Sequence, residues 1–267
     1  MTPTADVPAL LAHQAPLVID NAATAWVLTA TALVLMMTLP GLALFYGGMV
    51  RKKNIISVIA QSAGAFGVVT VLWFIAGYSL SFGAGPQAAN GLIGGLQAAF
   101  LNGVTMQTAH SLLPGLPELL FVTFQLTFAI ITPALISGAF AERMKFSAVL
   151  IFMAVWLTIN YVPMAHMAWG GGWVFGLAVQ DFAGGNVVHL NAGMAALVCA
   201  LVVGPRQGYG TAMMAPHNMT MTYTGGAMLW VGWLAFCGGC ALAANGFATL
   251  VMLNTALGGA GGALGWM

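Results

Sequence analysis

The sequence predicts an all-α integral membrane protein, folded as a polytopic helix bundle. Of its 267 residues, 60% are hydrophobic and only 4% are charged, which leaves too little polar surface to cover a soluble domain of this size. Apolar stretches of about 20 residues, the length that one helix needs to cross a hydrocarbon core about 30 Å thick, follow one another between short polar breaks. The formal net charge is only +1, so no basic surface is available for nucleic acid, and that class of partner is excluded.

Seven membrane spans are predicted behind a short external tail at residues 1–22. The first 20 residues contain no Lys or Arg, unlike the start of a secretory signal peptide. Residues 83–116 are Gly-rich and too broken for a span, so we expect a packed external loop with a short helix. The predicted spans are 23–48, 54–82, 117–140, 146–166, 184–204, 220–243 and 247–267.

The basic residues predict the orientation of these spans, because cytoplasmic loops are enriched in Lys and Arg. All six lie in the loops that follow the first, third and fifth spans: Arg51, Lys52, Lys53, Arg143, Lys145 and Arg206. The acidic residues Asp6, Asp20 and Glu118 lie on the opposite side. The N-terminus is therefore expected outside, and the multi-pass chain is expected in the plasma membrane, as an inner-membrane protein of a bacterium.

The stretch DFAGGNVVH, residues 181–189, retains two ionisable side chains in an otherwise apolar region. An ionisable residue in a span costs about 2.5 to 3.5 kcal/mol on insertion scales, so Asp181 and His189 are functional candidates. At about 1.5 Å per residue, His189 lies about 12 Å along the helix from Asp181, near mid-membrane if Asp181 marks the outer mouth. Asp181 fits an N-cap and brace for the helix that follows. His189 is either a core histidine bonded to a carbonyl group or, as we favour, a functional group.

Polar and aromatic side chains gather at the external ends of the third, fourth and sixth spans. Aromatic residues usually fill membrane cores and interfacial belts, but a cluster of rings on the external side could also bind a small cation by cation–π attraction. The side chains concerned are Phe124, Gln125, Phe128, Trp169, Trp233 and Phe236.

The three cysteines, Cys199, Cys237 and Cys240, lie in apolar stretches, where a disulfide framework is not expected. Cys237 and Cys240 form a C-x-x-C that could serve redox chemistry or half a metal site. The sequence has no second cysteine pair, and His110, His166 and His217 are expected near different membrane surfaces. Packing by small residues is therefore the default interpretation, and no metal site or cofactor is predicted.

Several long motifs follow one another along the chain: GLALFYGGMVRKKN, FAIITPALISGAFAERMKFSAVLIF, YVPMAHMAWGGGW, DFAGGNVVHLNAG, PHNMTMTYTGGAMLWVGWLAFCGG and LNTALGGAGGALGW. Together they resemble the ammonium transporter (Amt/Mep/Rh) family, from about residue 20 to the end of the chain. The resemblance implies a homotrimer with one pore per subunit, eleven spans and two inverted five-helix repeats. Residues 23–204 would form the first repeat and residues 205–267 the start of the second, so we expect the chain to be a fragment.

The resemblance also implies roles for individual residues. Trp169, Phe128 and Phe236 match the aromatic residues of an external vestibule that recruits ammonium, and Phe128 and Phe236 also form its gate. Asp181 matches the aspartate that orders the vestibule. His189 matches one of two hydrogen-bonded pore histidines, the other being expected on a tenth span that this chain does not contain.

One vestibule position departs from the family pattern. Cys240 aligns with a serine whose hydroxyl accepts a hydrogen bond from ammonium, and a thiol is a weaker acceptor. Recruitment is therefore expected to be weaker, with Phe124, Gln125 and Trp233 as supporting residues of the site.

The activity that the resemblance implies is transport, and no catalytic residue is predicted. A bare ammonium ion in a dry apolar pore would meet the full penalty for a buried charge, so we expect recognition as the cation, deprotonation near the gate and passage as ammonia. Methylammonium is the expected analogue, and a PII-type regulatory protein is a candidate partner at the cytoplasmic face. Two alternatives remain open, a sensor of the same family and a membrane electron carrier with histidine-ligated haem.

Overall fold

The computed structural model describes residues 18–267, so Asp6 and most of the predicted tail lie outside the described residues. The described part is helical, with a single isolated bridge between Ala109 and Pro117. The all-α fold class is thus confirmed. Its long helices are α1 (Asn21–Met49), α2 (Lys52–Phe82), α3 (Glu118–Phe140), α4 (Phe146–Gly176), α5 (Gly185–Val203), α6 (Met219–Gly239) and α7 (Gly246–Trp266).

Six of these helices, all except α6, are long and apolar enough to cross a membrane. The protein is therefore a multi-pass membrane protein. α6 has 21 residues, and its hydropathy is lowered by the small and polar residues of its first two turns, TMTYTGG. It nevertheless packs along α1 as an integral member of the bundle.

α3 is the central helix of the described bundle. In its most apolar stretch 78% of the residues are buried, compared with 6% for α7. Both the aromatic residues of its first half and the small residues of its second half are enclosed by α1, α2 and α5. Side chains on α3 are therefore held from several directions, which suits a helix that carries site residues.

Four of the helices contain π-helical segments, which the sequence analysis did not anticipate. The segment Met37–Leu42 of α1 includes Pro40, whose missing N–H interrupts the regular hydrogen-bond ladder. α5 opens with the π-helical turn Gly185–Leu190, which carries His189. Such widened turns re-aim side chains and are frequent at functional sites.

α1 and α6 approach each other so closely that glycine is required at the crossing. A Cβ atom on Gly225 would collide with the main-chain nitrogen of Phe45 and lie 2.6 Å from the carbonyl oxygen of Gly41. A Cβ atom on Gly48 would lie 2.6 Å from the carbonyl oxygen of Asn218. In lipid, small residues at such crossings allow the van der Waals contact that holds helices together.

The three basic loops meet at one end of the bundle. Arg51 Nη2 lies 2.8 Å from Glu142 Oε2, and Arg206 Nη1 lies 3.7 Å from the same oxygen. Arg143 Nη1 donates to the carbonyl oxygen of Gly204 at 2.6 Å. Loops far apart in sequence are thus adjacent in space, as the alternation of basic residues requires.

The connector 83–116 packs across the opposite end. Ser79 Oγ accepts from Ala98 N at 3.0 Å and donates to Gly95 O at 2.8 Å, and Asp20 N donates to Gly115 O at 2.9 Å. The connector contains one 3-10 turn, Ala99–Leu101. It therefore ties the starts of α1 and α3 to the end of α2.

We expect the Glu142 carboxylate to make stability depend on acid pH. Burial raises the pKa of Glu142, but hydrogen bonds from Arg51 and Asn54 outweigh burial and lower it to about 2. A carboxyl whose pKa is lowered on folding stabilises the fold above its ordinary pKa of 4.5, and this contribution is lost as the pH falls towards 2. In detergent, Glu142→Gln should lower the thermal unfolding midpoint at neutral pH by roughly 2–5 °C and flatten its decline below pH about 4.5.

Glu118→Gln is the matched control, because that carboxylate accepts from the Tyr78 hydroxyl at the other end of the bundle. The control variant should keep the steep acid decline. An acid decline of the same steepness in Glu142→Gln and wild-type protein would contradict the assignment.

Candidate functional site

The end of α2, the start of α3, the end of α4, the connector and the loops before α5 and after α6 line an apolar cavity of about 180 Å³. Five of the residues that line it are predicted site residues: Phe124, Gln125, Phe128, Trp169 and Cys240. The others are Phe82, Leu112, Leu113, Phe121, Phe175, Phe182 and Leu242. The structure thus brings together, in one cavity, side chains from three long helices and three loops.

Trp169 is held on the rim of this cavity by its indole N–H. Its Nε1 donates to the carbonyl oxygen of Asp181 at 2.7 Å. The ring stands at 82° to that of Phe128, with centroids 6.1 Å apart. Because the polar edge is already bonded, the π face is the part of the indole that remains for a ligand, which is the arrangement that cation–π attraction needs.

Phe128 and Phe236 pack together at the inner end of the cavity. Their ring centroids are 4.3 Å apart with planes tilted by 42°, and each residue is only 1% exposed. Phe124 stands edge-on to Phe128 at 4.9 Å. Phe236 also lies 5.8 Å from the ring of His189, so this pair connects the cavity to the histidine beyond it.

Asp181 braces the start of α5 with both carboxylate oxygens. Oδ1 accepts from Gly184 N at 2.7 Å, and Oδ2 accepts from Asn186 N at 3.0 Å and Val187 N at 2.8 Å. These are main-chain N–H groups that the first turn of a helix leaves without partners. Gly184 has φ +87°, a conformation that glycine adopts without strain. Both carboxylate oxygens thus hold the main chain at the start of α5.

His189 has a different environment from the other histidines of residues 18–267. Its ring stacks on that of Trp233, with centroids 5.3 Å apart and planes 9° from parallel. His110, His166 and His217 all contact main-chain carbonyl oxygens instead.

Gln125 supplies the cavity with an acceptor that has no protein partner. Its Oε1 is buried and makes no hydrogen bond within the described residues. Cys240 lines the same cavity as a free thiol. A buried acceptor without a partner is costly, so a ligand with N–H groups would satisfy Gln125 where the protein does not.

Within the described residues, the C-x-x-C motif is not part of a group of side chains that could hold a metal ion. Cys237 and Cys240 are both free thiols, and the part of the chain that the structure describes contains no group of three His, Cys, Asp or Glu side chains able to hold a metal ion. Cys240 is instead assigned to the cavity by its position.

Sequence reasoning missed several lining residues. Phe182 directly follows Asp181, and its ring packs edge-on against Phe247 of α7 with centroids 5.4 Å apart. Its position next to Asp181 in the sequence could have indicated that it lines the cavity. Leu112 and Leu113 belong to the connector, and nothing in their local sequence distinguishes them from other loop leucines.

The chain is similar to several known proteins in sequence and in fold. The model of the Ammonium Transporter Family matches residues 25–267. An ammonium transporter of Bacillus subtilis (strain 168) is 46% identical over 241 residues, which cover 88% of this chain and 57% of that protein. The crystal structure of Saccharomyces cerevisiae Mep2 superposes with a TM-score of 0.84 at 37% identity, covering 93% of this chain and 57% of that one.

A solved structure described as a Sensor Amt Protein is also similar, with a TM-score of 0.78 and 30% identity over 88% of this chain and 58% of the other. The chain thus spans a little under three fifths of the length of the proteins that it matches.

Proposed function

We propose, since the chain belongs to the ammonium transporter family, that it takes up ammonium at the external cavity and passes ammonia across the membrane. The observation that carries the proposal is the order of the parts: an aromatic cavity with an indole on its rim, a closed phenylalanine pair beneath it, and His189 beyond that pair. Each part suits one step of the transport of a small cation that can lose a proton.

Recognition as a cation is supported by the lining of the cavity. The Trp169 ring offers its π face, and the Gln125 oxygen offers an acceptor without a partner. Ammonium has four N–H donors and a size close to that of water, so it can use both groups in a space of this volume. A larger cation without N–H groups would leave Gln125 unsatisfied.

Passage as ammonia is supported by the closure of the phenylalanine pair. Phe128 and Phe236 are each 1% exposed, so a substrate that passes them must leave its water shell. A charged ion would meet a large desolvation cost there, whereas neutral ammonia would not. His189, whose described neighbours are aromatic, is proposed to form hydrogen bonds with the deprotonated substrate and to relay the proton.

The orientation of the chain in the membrane and its oligomeric state are also part of the proposal. The basic loops at one end of the bundle support a cytoplasmic assignment for that end, which leaves the N-terminus and the cavity outside. The family resemblance supports a homotrimer in the plasma membrane and a PII-type protein at the cytoplasmic mouth.

A sensor is the second candidate function, favoured by the similarity to the Sensor Amt Protein. A sensor would keep the cavity and its affinity for ammonium but would support little uptake. Transport measurements therefore distinguish the two.

The test is uptake of labelled methylammonium into lipid vesicles that carry the complete gene product. Trp169→Leu should weaken apparent affinity about 10- to 30-fold, the equivalent of about 1.5–2 kcal/mol of cation–π attraction. His189→Ala should abolish uptake. Trp173→Leu is the matched control, because that half-exposed indole donates to Met167 Sδ outside the cavity lining, and it should transport normally. Normal uptake by His189→Ala would refute the relay role, and binding without uptake in wild-type protein would favour the sensor.

Cys240→Ser should strengthen recruitment. A hydroxyl accepts hydrogen bonds better than a thiol, so the apparent Michaelis constant for methylammonium should fall several-fold, by up to about tenfold for a gain of roughly 1.4 kcal/mol. Cys199→Ser, in α5 and outside the cavity lining, is the control and should leave the constant unchanged. An unchanged constant in Cys240→Ser would show that this position does not contact the substrate.

A further inference from the structure

His166, near the external end of α4, faces main-chain carbonyl oxygens with both of its ring nitrogens. Nδ1 lies 3.0 Å from the carbonyl oxygen of Ser81 at the end of α2. Nε2 lies 2.8 Å from the carbonyl oxygen of Asn90 in the connector. The residue is completely buried, so water does not replace either contact.

These contacts determine which form of the imidazole fits. A neutral imidazole has one N–H and one lone pair, whereas the imidazolium has two N–H donors. A carbonyl oxygen can only accept, so a neutral His166 would point a lone pair at an oxygen about 3 Å away. Both contacts are hydrogen bonds only when both nitrogens carry a proton.

His110 in the connector provides the contrast within the same region. Its Nε2 lies 3.2 Å from the carbonyl oxygen of Phe82, which accepts, and its Nδ1 accepts from Leu112 N at 3.3 Å. One acceptor and one donor satisfy the neutral ring. The hydrogen-bond partners of His110 therefore suit a neutral ring, whereas those of His166 suit a ring that is protonated on both nitrogens.

We propose that His166 is a buried imidazolium that fastens the connector to the turn carrying Trp169, and so acts as a positioning residue for the cavity. Its part in recruitment rests on the proposed function, while its charge does not. The neighbouring contacts point the same way: Trp173 N donates to the carbonyl oxygen of Gly91 at 2.9 Å, directly after Asn90. Two successive connector residues are thus held by α4 and the WGGGW turn.

The surroundings favour a cation at this position. His166 lies in the last turn of the α-helical segment Val162–Trp169, where the helix dipole stabilises positive charge. Gly170 leaves room for the bond to Ser81, because a Cβ atom there would collide with the Ser81 oxygen and lie 2.7 Å from His166 Nδ1.

The titratable side chains on the elements packed around this end of α4 are engaged elsewhere. Tyr78 of α2 donates to Glu118 at the start of α3, His110 contacts the carbonyl oxygen of Phe82 at the end of α2, and Asp181 braces α5. The carbonyl dipoles and the helix end therefore hold the charge without a carboxylate contact among the described residues.

The direct test is nitrogen NMR of the complete, ¹⁵N-histidine-labelled protein in lipid vesicles at pH about 7, where a histidine in water is mostly neutral. His166 should show two protonated ring nitrogens, and His110 should show one protonated and one bare nitrogen. The signals can be assigned with His166→Gln and His110→Gln. A bare nitrogen on His166 would overturn the proposal, and this readout needs no transport.

The second arm measures methylammonium uptake. His166→Gln should raise the apparent Michaelis constant several-fold with a smaller change in the maximal rate, and His110→Gln should leave both unchanged. Two protonated nitrogens on His166 together with an unchanged Michaelis constant in His166→Gln would overturn the positioning role, and absence of all uptake would count against the proposed function instead.

Discussion

Gly225→Ala is expected to prevent normal packing of α6 on α1. The added Cβ atom would meet main-chain atoms of Phe45 and Gly41, which cannot rotate away as a side chain could. Relief requires the helices to move apart, with loss of contacts along the whole crossing, and we expect a cost of about 3 kcal/mol or more. The unfolding midpoint in detergent should fall by roughly 6–12 °C, and uptake should be lost because Phe236 lies on α6.

Gly226→Ala is the matched control for this experiment. It adds the same methyl group one residue further along α6, where the nearest atoms are 3.6 and 3.7 Å away in the Phe45 ring, an ordinary van der Waals distance. This variant should unfold within about 2 °C of wild-type protein. Equal stability of the two variants would show that the α1–α6 approach is looser than described.

Asp181→Ala should disrupt the aromatic cavity. It removes three hydrogen bonds that main-chain N–H groups at the start of α5 donate to the carboxylate, and bonds to a charged group contribute about 1.5–3 kcal/mol each when taken singly. The unpaired N–H groups and the released chain around residue 181 would also shift the carbonyl oxygen that holds Trp169. We expect methylammonium uptake to fall at least about 100-fold, together with a clear loss of thermal stability.

Two further variants distinguish an effect on the cavity from a general loss of stability. Asp181→Asn keeps one acceptor oxygen and should retain part of the activity. Asp20→Ala removes an N-cap that accepts from Ala22 N and Ala23 N at the start of α1, so it should cost about 1 kcal/mol of stability while leaving apparent affinity unchanged. Near-normal uptake in Asp181→Ala would refute the brace.

The fold could be predicted well from the sequence because its main signals are local. A hydrophobic stretch long enough to cross the membrane can be recognised without knowing its neighbours, and the three basic loops that alternate along the chain do meet at one end of the bundle. α6 is the one long helix of the described residues that does not reach the hydropathy of a membrane span, because its start is rich in Thr and Gly.

The candidate site was predicted in part. The resemblance selected Phe128, Trp169 and Phe236, and the structure places their rings together. The partner of Trp169 Nε1, the stacking of His189 on Trp233 and the free acceptor of Gln125 could not be predicted. Each depends on the relative rotation and depth of helices that are far apart in sequence, which residue spacing along one helix does not specify.

By itself, then, the sequence determined the membrane class, the order of the spans and the family to which the chain belongs. These follow from hydrophobic length, loop charge and motif order, all of which are properties of single segments. Only the tertiary structure decided what Glu142, Gly225 and His166 do, since an ion pair, a close crossing and a pair of carbonyl contacts exist only when separate segments meet. In a chain with so few charged groups, contacts between separate segments determine which polar atoms have hydrogen-bond partners, and hence where a small cation could bind.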